Sequence, residues 1–171
     1  MRIIIAAVAA FVLSFAAHAQ TATKELAARV ELHAIQSLTL SDQQFLTADR
    51  AGAKPVTLTG ELRVAQGTGK LPLVVLMHGS GGIGSNMDAW VRRLNAMGIS
   101  TFVIDGFTGR GLTSVSGNQA LLGRLNFIAD IYKALEVMAK HPRVDPARIA
   151  LVGFSRGGQA ALYASLDRFH R

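Results

Sequence analysis

Polar and apolar residues alternate most cleanly between positions 56 and 64, where Val56, Leu58, Leu62 and Val64 take the even places and Thr57, Thr59, Glu61 and Arg63 stand between them. A period of two is that of a strand with one face buried and one wet. Upstream, Ser37-Leu38-Thr39-Leu40-Ser41 alternates over a shorter span and predicts a short strand, while Thr21 to Leu32 carries a helix-like spacing. After Pro72 the pattern changes, because Leu73-Val74-Val75-Leu76-Met77 is apolar at every position. Such a run suits a central strand covered by helices on both faces. Thr101 to Ile104, closing on Asp105, and Arg148 to Val152 read in the same way. Between these strands, Trp90, Val91, Leu94 and Met97 predict a helix capped by Ser85 or Asn86 and stopped at Gly98. Leu121, Leu125, Ile128, Tyr132, Leu135 and Met138 form one apolar face of a long helix from about 119 to 141, ended by Pro142. A last helix runs from Arg156 through Leu162 and Leu166 to Phe169. Strand and helix in alternation give an α/β fold with a mostly parallel sheet and flanking helices, in one domain without repeats or linkers.

The first residues do not belong to that pattern. Met1-Arg2, the apolar stretch Ile3 to Ala17 and the small-residue end Ala17-His18-Ala19 have the three parts of a secretory signal peptide. Residues 1–19 are expected to be removed, leaving 20–171 as the domain, in the periplasm or outside the cell and without a stable membrane span. Half of the 171 residues are hydrophobic, enough for one core. The absence of cysteine excludes disulfides, a thiol nucleophile and thiolate metal ligands. The net charge of +7 is dispersed over Arg92-Arg93, Arg110, Arg143, Arg148 and Arg168, with no compact basic run of the kind nucleic-acid binders carry.

Candidate chemistry concentrates where strands end. Gly153-Phe154-Ser155-Arg156-Gly157 sits where a buried strand meets a helix and fits the Gly-x-Ser-x-Gly nucleophile elbow. Ser155 is the candidate nucleophile, and Gly153 and Gly157 remove the Cβ atoms that so tight a turn would bring into collision. At a helix N-terminus unpaired amides and the dipole favour negative charge, so the Arg156 N–H is one candidate oxyanion donor. A second must come from another loop at the same sheet edge, and His78-Gly79-Ser80-Gly81-Gly82 leaves a central strand there. The Ser80 N–H is the expected donor, with Gly81 next; His78 and Gly79 shape the loop, His78 by hydrogen bonding rather than as general base.

With the His78-Gly79 loop, the Ser155 elbow and Asp105 followed by Gly109-Arg110-Gly111-Leu112-Thr113-Ser114, the chain resembles the dienelactone hydrolase-like family of the α/β-hydrolase superfamily from about residue 35 onward. The resemblance implies an α/β-hydrolase fold, hydrolysis of carboxylic esters or lactones through an acyl-enzyme, a small-molecule substrate, and no cofactor or metal. Dienelactone hydrolases carry cysteine where this chain has Ser155, so the dienelactone itself is not implied. The family order of Ser, then Asp or Glu, then His places the last two after later strands. Asp167 and His170 lie on the helix that Ser155 opens, roughly 18 and 22 Å along it at about 1.5 Å per residue. They are expected to be solvated, and the chain to be an inactive N-terminal portion whose C-terminal strands are missing. Arg110 and Arg156 are candidates for recognising a substrate carboxylate, with packing as the alternative role.

Two other classes compete. Gly79-Ser80-Gly81-Gly82-Ile83-Gly84 after a strand, with Asp105 ending the next, also fits a dinucleotide-binding Rossmann-like pattern. A noncatalytic α/β-hydrolase-like binding protein that lost its triad is the other.

Overall fold

The computed structural model describes residues 27–169, so the expected signal peptide lies outside the described residues. Five strands form one sheet: β1 (Arg29–Thr39), β2 (Lys54–Val64), β3 (Leu71–Met77), β4 (Ser100–Asp105) and β5 (Val144–Gly153), in the order β1-β2-β4-β3-β5. β3 runs parallel to β4 and to β5, while β2 is antiparallel to both β1 and β4. Among the described residues three helices, α1 (Asp42–Thr47), α2 (Ser85–Ala96) and α3 (Asn126–Met138), lie in the connections, and a fourth, α4 (Arg156–Ala164), follows β5. β5 has no strand beyond it among the described residues.

The uninterrupted apolar run in β3 follows from this layering. Leu73, Val75 and Met77 enter a large core with Ile35, Leu58, Phe102, Phe127 and Ile131, beneath α3 and α4. Val74 and Leu76 point the other way, into a smaller core with Met87, Val91 and Val103, beneath α2. Both faces of β3 are dry, whereas β2 keeps the expected alternation with Leu58, Leu62 and Val64 buried and Thr57 and Thr59 exposed. Among the described residues no helix is long and apolar enough to cross a membrane.

Several boundaries differ from the sequence pattern, most of them where a tertiary partner overrides local spacing. Of the helix-like segment from Thr21 to Leu32, residues 21–26 lie outside the described residues and residues 29–32 belong to β1, where Arg29 to Thr39 pairs residue by residue with β2, leaving Val30 and Leu32 exposed. Within β1 it is Ser37, not Leu38, that turns fully inward, and Asp130 accepts its hydroxyl proton at 2.6 Å. α2 is capped by the Gly84 backbone rather than by a side chain, and its buried face is Met87, Val91 and Asn95, with Trp90 and Met97 outside. The long helix begins at Asn126; Gln119–Leu121 form a separate 3₁₀ turn and Leu121 is exposed. Asn126 ties that start to the end of β1, accepting the Leu40 N–H and donating to the Leu40 carbonyl, each at 2.8 Å. α4 ends at Ala164, and Asp167–Phe169 form a 3₁₀ turn in which Phe169 packs on Phe45 and Tyr163, so Asp167 is not on the helix that Ser155 opens.

One ion pair lies inside this frame. Arg110 and Asp130 have side chains 4% and 0% exposed and meet in a bidentate bridge at 2.7 and 2.9 Å. The remaining Arg110 donors reach Thr39 Oγ1, the Leu38 carbonyl and the Gly106 carbonyl, so all five guanidinium N–H groups are used. Burial pushes the Asp130 carboxyl upward, and the Arg110 and Ser37 hydrogen bonds oppose it. Removing one partner strands the other charge in a dry site. Asp130→Asn should therefore lower unfolding free energy by about 3–5 kcal/mol, whereas Arg110→Met paired with Asp130→Leu should recover much of the loss, both read from urea-denaturation midpoints.

Candidate active site

Strand β5 ends at Gly153 and α4 starts at Arg156, so the chain must reverse within two residues. Ser155 takes the strain, with φ 51° and ψ −114°; Ala48 is the only other non-glycine residue at positive φ among those described. The neighbours make the turn feasible. A Cβ on Gly153 would strike the Gly157 carbonyl, and one on Gly157 would strike the carbonyls of Met77 and His78. With no side chain there, the elbow packs directly on the end of β3, and Phe154 N–H donates to the Met77 carbonyl at 3.1 Å. Ser155 is exposed at this edge while Arg156 and Gly157 behind it are buried.

The loop after β3 lies beside it. A Cβ on Gly79 would stand 3.0 Å from the Phe154 carbonyl and 3.4 Å from Ser155 Cβ, so Gly79 lets this loop close on the elbow. The loop turns on a Gly82 N–H to Gly79 carbonyl bond of 3.1 Å, with Gly82 at φ +83° against the Thr113 carbonyl. The amides of Ser80 and Gly81 donate to no acceptor among the described residues. The Arg156 N–H, in the first turn of α4, has no intrahelical acceptor either. Unpaired amides from two elements thus flank the Ser155 edge.

His78 is 1% exposed and both its ring nitrogens are engaged. Nε2 accepts the Gly106 N–H at 3.0 Å, so the neutral ring carries its proton on Nδ1 and donates to the Gly79 carbonyl at 2.8 Å. Burial holds its pKa below the usual histidine range. The ring is wedged between Phe107 and Phe127, at centroid distances of 4.5 and 5.1 Å. It braces the glycine loop and has no free lone pair to act as a base.

The candidate carboxylate binders are occupied elsewhere. Arg110 is consumed by its bridge to Asp130. Arg156 turns away from solvent, 4% exposed, and donates to Gln119 Oε1 at 3.0 Å and to the Leu122 carbonyl, with its guanidinium over the Phe127 ring. Asp105, the acid of the dinucleotide alternative, uses Oδ1 to accept the amides of Phe107 and Thr108 at 2.9 and 3.0 Å. Those bonds outweigh its burial and keep its carboxyl below the ordinary range. Sequence spacing gave no signal for Gln119 or Asp130, whose contacts form only once the loop between β4 and α3 is folded.

A separate group, Glu31, His33 and His141, brings ligand-type atoms within 4.8 Å of one another beyond the C-terminus of α3, the end of that helix remote from Arg156. Its chemistry is that of an ion-pair cluster. The Arg143 N–H donates to His141 Nδ1, so the neutral ring bears its proton on Nε2, which donates to Glu31 Oε2 at 3.2 Å and is not open to a metal.

Comparison with known proteins follows the same lines. In solved structures the chain is similar to a dienelactone hydrolase-like promiscuous phosphotriesterase from metagenomic libraries, at 18% identity and TM-score 0.53 over 80% of this chain and 54% of that one. It is also similar to a thermostable carboxylesterase from a metagenomic library, at 23% identity and TM-score 0.52 over 81% and 41%. An esterase of Pyrobaculum calidifontis aligns at 24% identity and TM-score 0.53 over 85% and 41%. The chain spans about half the length of these structures or less. No curated protein matches it. These likenesses establish the α/β-hydrolase fold, and the family described as acetyl xylan esterase (AXE1) matches residues 49–168, more than half of the sequence. The chain belongs to the acetyl xylan esterase family.

Proposed function

We propose that the protein is a serine esterase in which Ser155 is the nucleophile. The observation that carries this reading is the strained Ser155, exposed at the junction of β5 and α4 beside the unpaired amides of Ser80 and Gly81. Strain of about 1–3 kcal/mol is retained at a surface residue only where surrounding packing enforces it, and such strain gathers at functional sites. Ser155 Oγ would attack the ester carbonyl carbon, and its proton would pass to a general base. The carbonyl oxygen becomes an oxyanion held by the N–H groups of Arg156 and Ser80, with Gly81 adjacent. Collapse expels the alcohol, which takes up the proton, and leaves an acyl-enzyme. Water then attacks that ester, releases the acid and restores the serine.

The base comes from outside the described residues, since His78 is a neutral brace and His33 and His141 serve Glu31. Family membership favours an ester of a short acyl group, such as an acetyl ester on a carbohydrate, over a lactone. Export of the mature chain from Gln20 suits a polymer substrate outside the cytoplasm.

In the protein expressed from its intact gene, Ser155→Ala should abolish hydrolysis of p-nitrophenyl acetate and labelling by a fluorophosphonate probe. Unchanged labelling, or label mapped by peptide mass spectrometry to another serine, would remove Ser155 from the role. Gly153→Ala should lower activity by about 100-fold or more, because its Cβ must push the elbow away from the oxyanion donors. In an exporting host, mass spectrometry of the secreted or periplasmic protein should find an N-terminus at Gln20.

A further inference from the structure

Two backbone donors on different elements can hold one oxyanion only if their spacing is fixed to a fraction of an ångström. The elbow is rigid by packing. The other donor stands in a loop with glycine at positions 79, 81, 82 and 84, which by itself fixes little. Something outside both elements must set the distance between them.

The segment from Ser114 to Leu122 touches both. It grips the Ser80 carbonyl with the Val115 N–H at 2.8 Å and the Ser114 hydroxyl at 3.1 Å. It also receives the Arg156 guanidinium on the Leu122 carbonyl and on Gln119. Gln119 closes the link. Its Oε1 accepts the Ser80 Oγ–H at 3.1 Å and Arg156 Nη1–H at 3.0 Å, so one amide oxygen is shared by the side chains of the two residues whose N–H groups flank Ser155. Arg156 has no carboxylate partner among the described residues; its acceptors are all neutral oxygens of this segment. A buried cation held only by neutral oxygens is a poor source of stability, which points to a role in fixing geometry.

Resting on the assignment of Ser155 as nucleophile, we infer that Gln119 is a positioning residue that sets the spacing of the oxyanion-binding amides of Ser80 and Arg156. It touches no reacting atom. Its oxygen couples the loop after β3 to the elbow, so its loss weakens stabilisation of the transition state and leaves ground-state binding of the ester largely intact.

The test is steady-state hydrolysis of p-nitrophenyl acetate by the protein expressed from its intact gene. Gln119→Ala should lower kcat about tenfold with KM within about twofold, a split typical of an interaction made in the transition state. Gln119→Glu retains an oxygen able to accept from both donors and should keep most of kcat. Ser80→Ala keeps its backbone N–H but loses the hydroxyl, and should lower kcat by a similar factor. The double variant Ser80→Ala with Gln119→Ala should fall little further, because both changes break the same link.

Unchanged kcat in Gln119→Ala, multiplying losses in the double variant, or failure of Gln119→Glu to preserve kcat would overturn the inference. So would a rise in KM, or a drop in thermal midpoint that accounts for the lost activity. Ser155→Ala assayed in parallel separates the two levels. If it still hydrolyses the ester, the nucleophile assignment fails and this inference with it; if it is inactive while Gln119→Ala is fully active, only the role of Gln119 fails.

Discussion

The buried bridge between Arg110 and Asp130 is the constraint on which the arrangement of this edge depends. A guanidinium placed in a dry core must satisfy all its N–H groups, and Arg110 does so by drawing in the end of β1, the Gly106 carbonyl and a carboxylate from α3. The connection from Gly106 to Leu125 contains only short 3₁₀ turns, and a segment of that kind has little to hold it apart from side-chain anchors. The same Gly106 that gives its carbonyl to Arg110 gives its N–H to His78. Charge pairing in the core is thereby linked, through one peptide unit on each side of Gly106, to the histidine that braces the candidate oxyanion loop.

Two different solutions hold the two halves of the candidate site. At the elbow, order comes from contact: Gly153 and Gly157 leave no room for a Cβ between turn, helix and the end of β3. Across from it, order comes from hydrogen bonds, because glycines that permit the loop to approach Ser155 also leave it loose. Close packing resists displacement steeply, while a few hydrogen bonds of about 1 kcal/mol each resist it gently.

The parts of this fold that could be read from the sequence are those in which one residue's environment is set by its immediate neighbours in the chain. β2 shows its period of two because its exposed and buried faces are uniform, and β3 shows an apolar run because both its faces are covered. The elbow was legible because Gly153, Ser155 and Gly157 stand within five residues at a strand-to-helix junction, although Gly157 is required by the distant carbonyls of Met77 and His78. What local spacing missed depends on distant partners. The phase of β1 is decided by Asp130, 93 residues from Ser37, and the start of α3 by Asn126 bonding Leu40 across 86 residues. Arg110 and Arg156 look alike as isolated cations near a site. Only their acceptors distinguish a core ion pair from a clamp on neutral oxygens.

The proposed chemistry divides along the same line. Activating a serine needs a base with a free lone pair at its hydroxyl. None of the described histidines offers one: His78 accepts from Gly106, and His33 and His141 are turned to Glu31. Holding an oxyanion needs only fixed dipoles, and in the proposed mechanism the amides of Ser80, Gly81 and Arg156 supply them. In serine hydrolases the two contributions are separable, since anion stabilisation and binding alone sustain about 10³–10⁴-fold catalysis after the relay is lost. In that proposal the half of the machinery that demands rigidity belongs to the sheet edge between β3 and β5. In the same proposal the half that demands a titratable group comes from outside the described residues, and the oxyanion geometry does not depend on how the base is delivered.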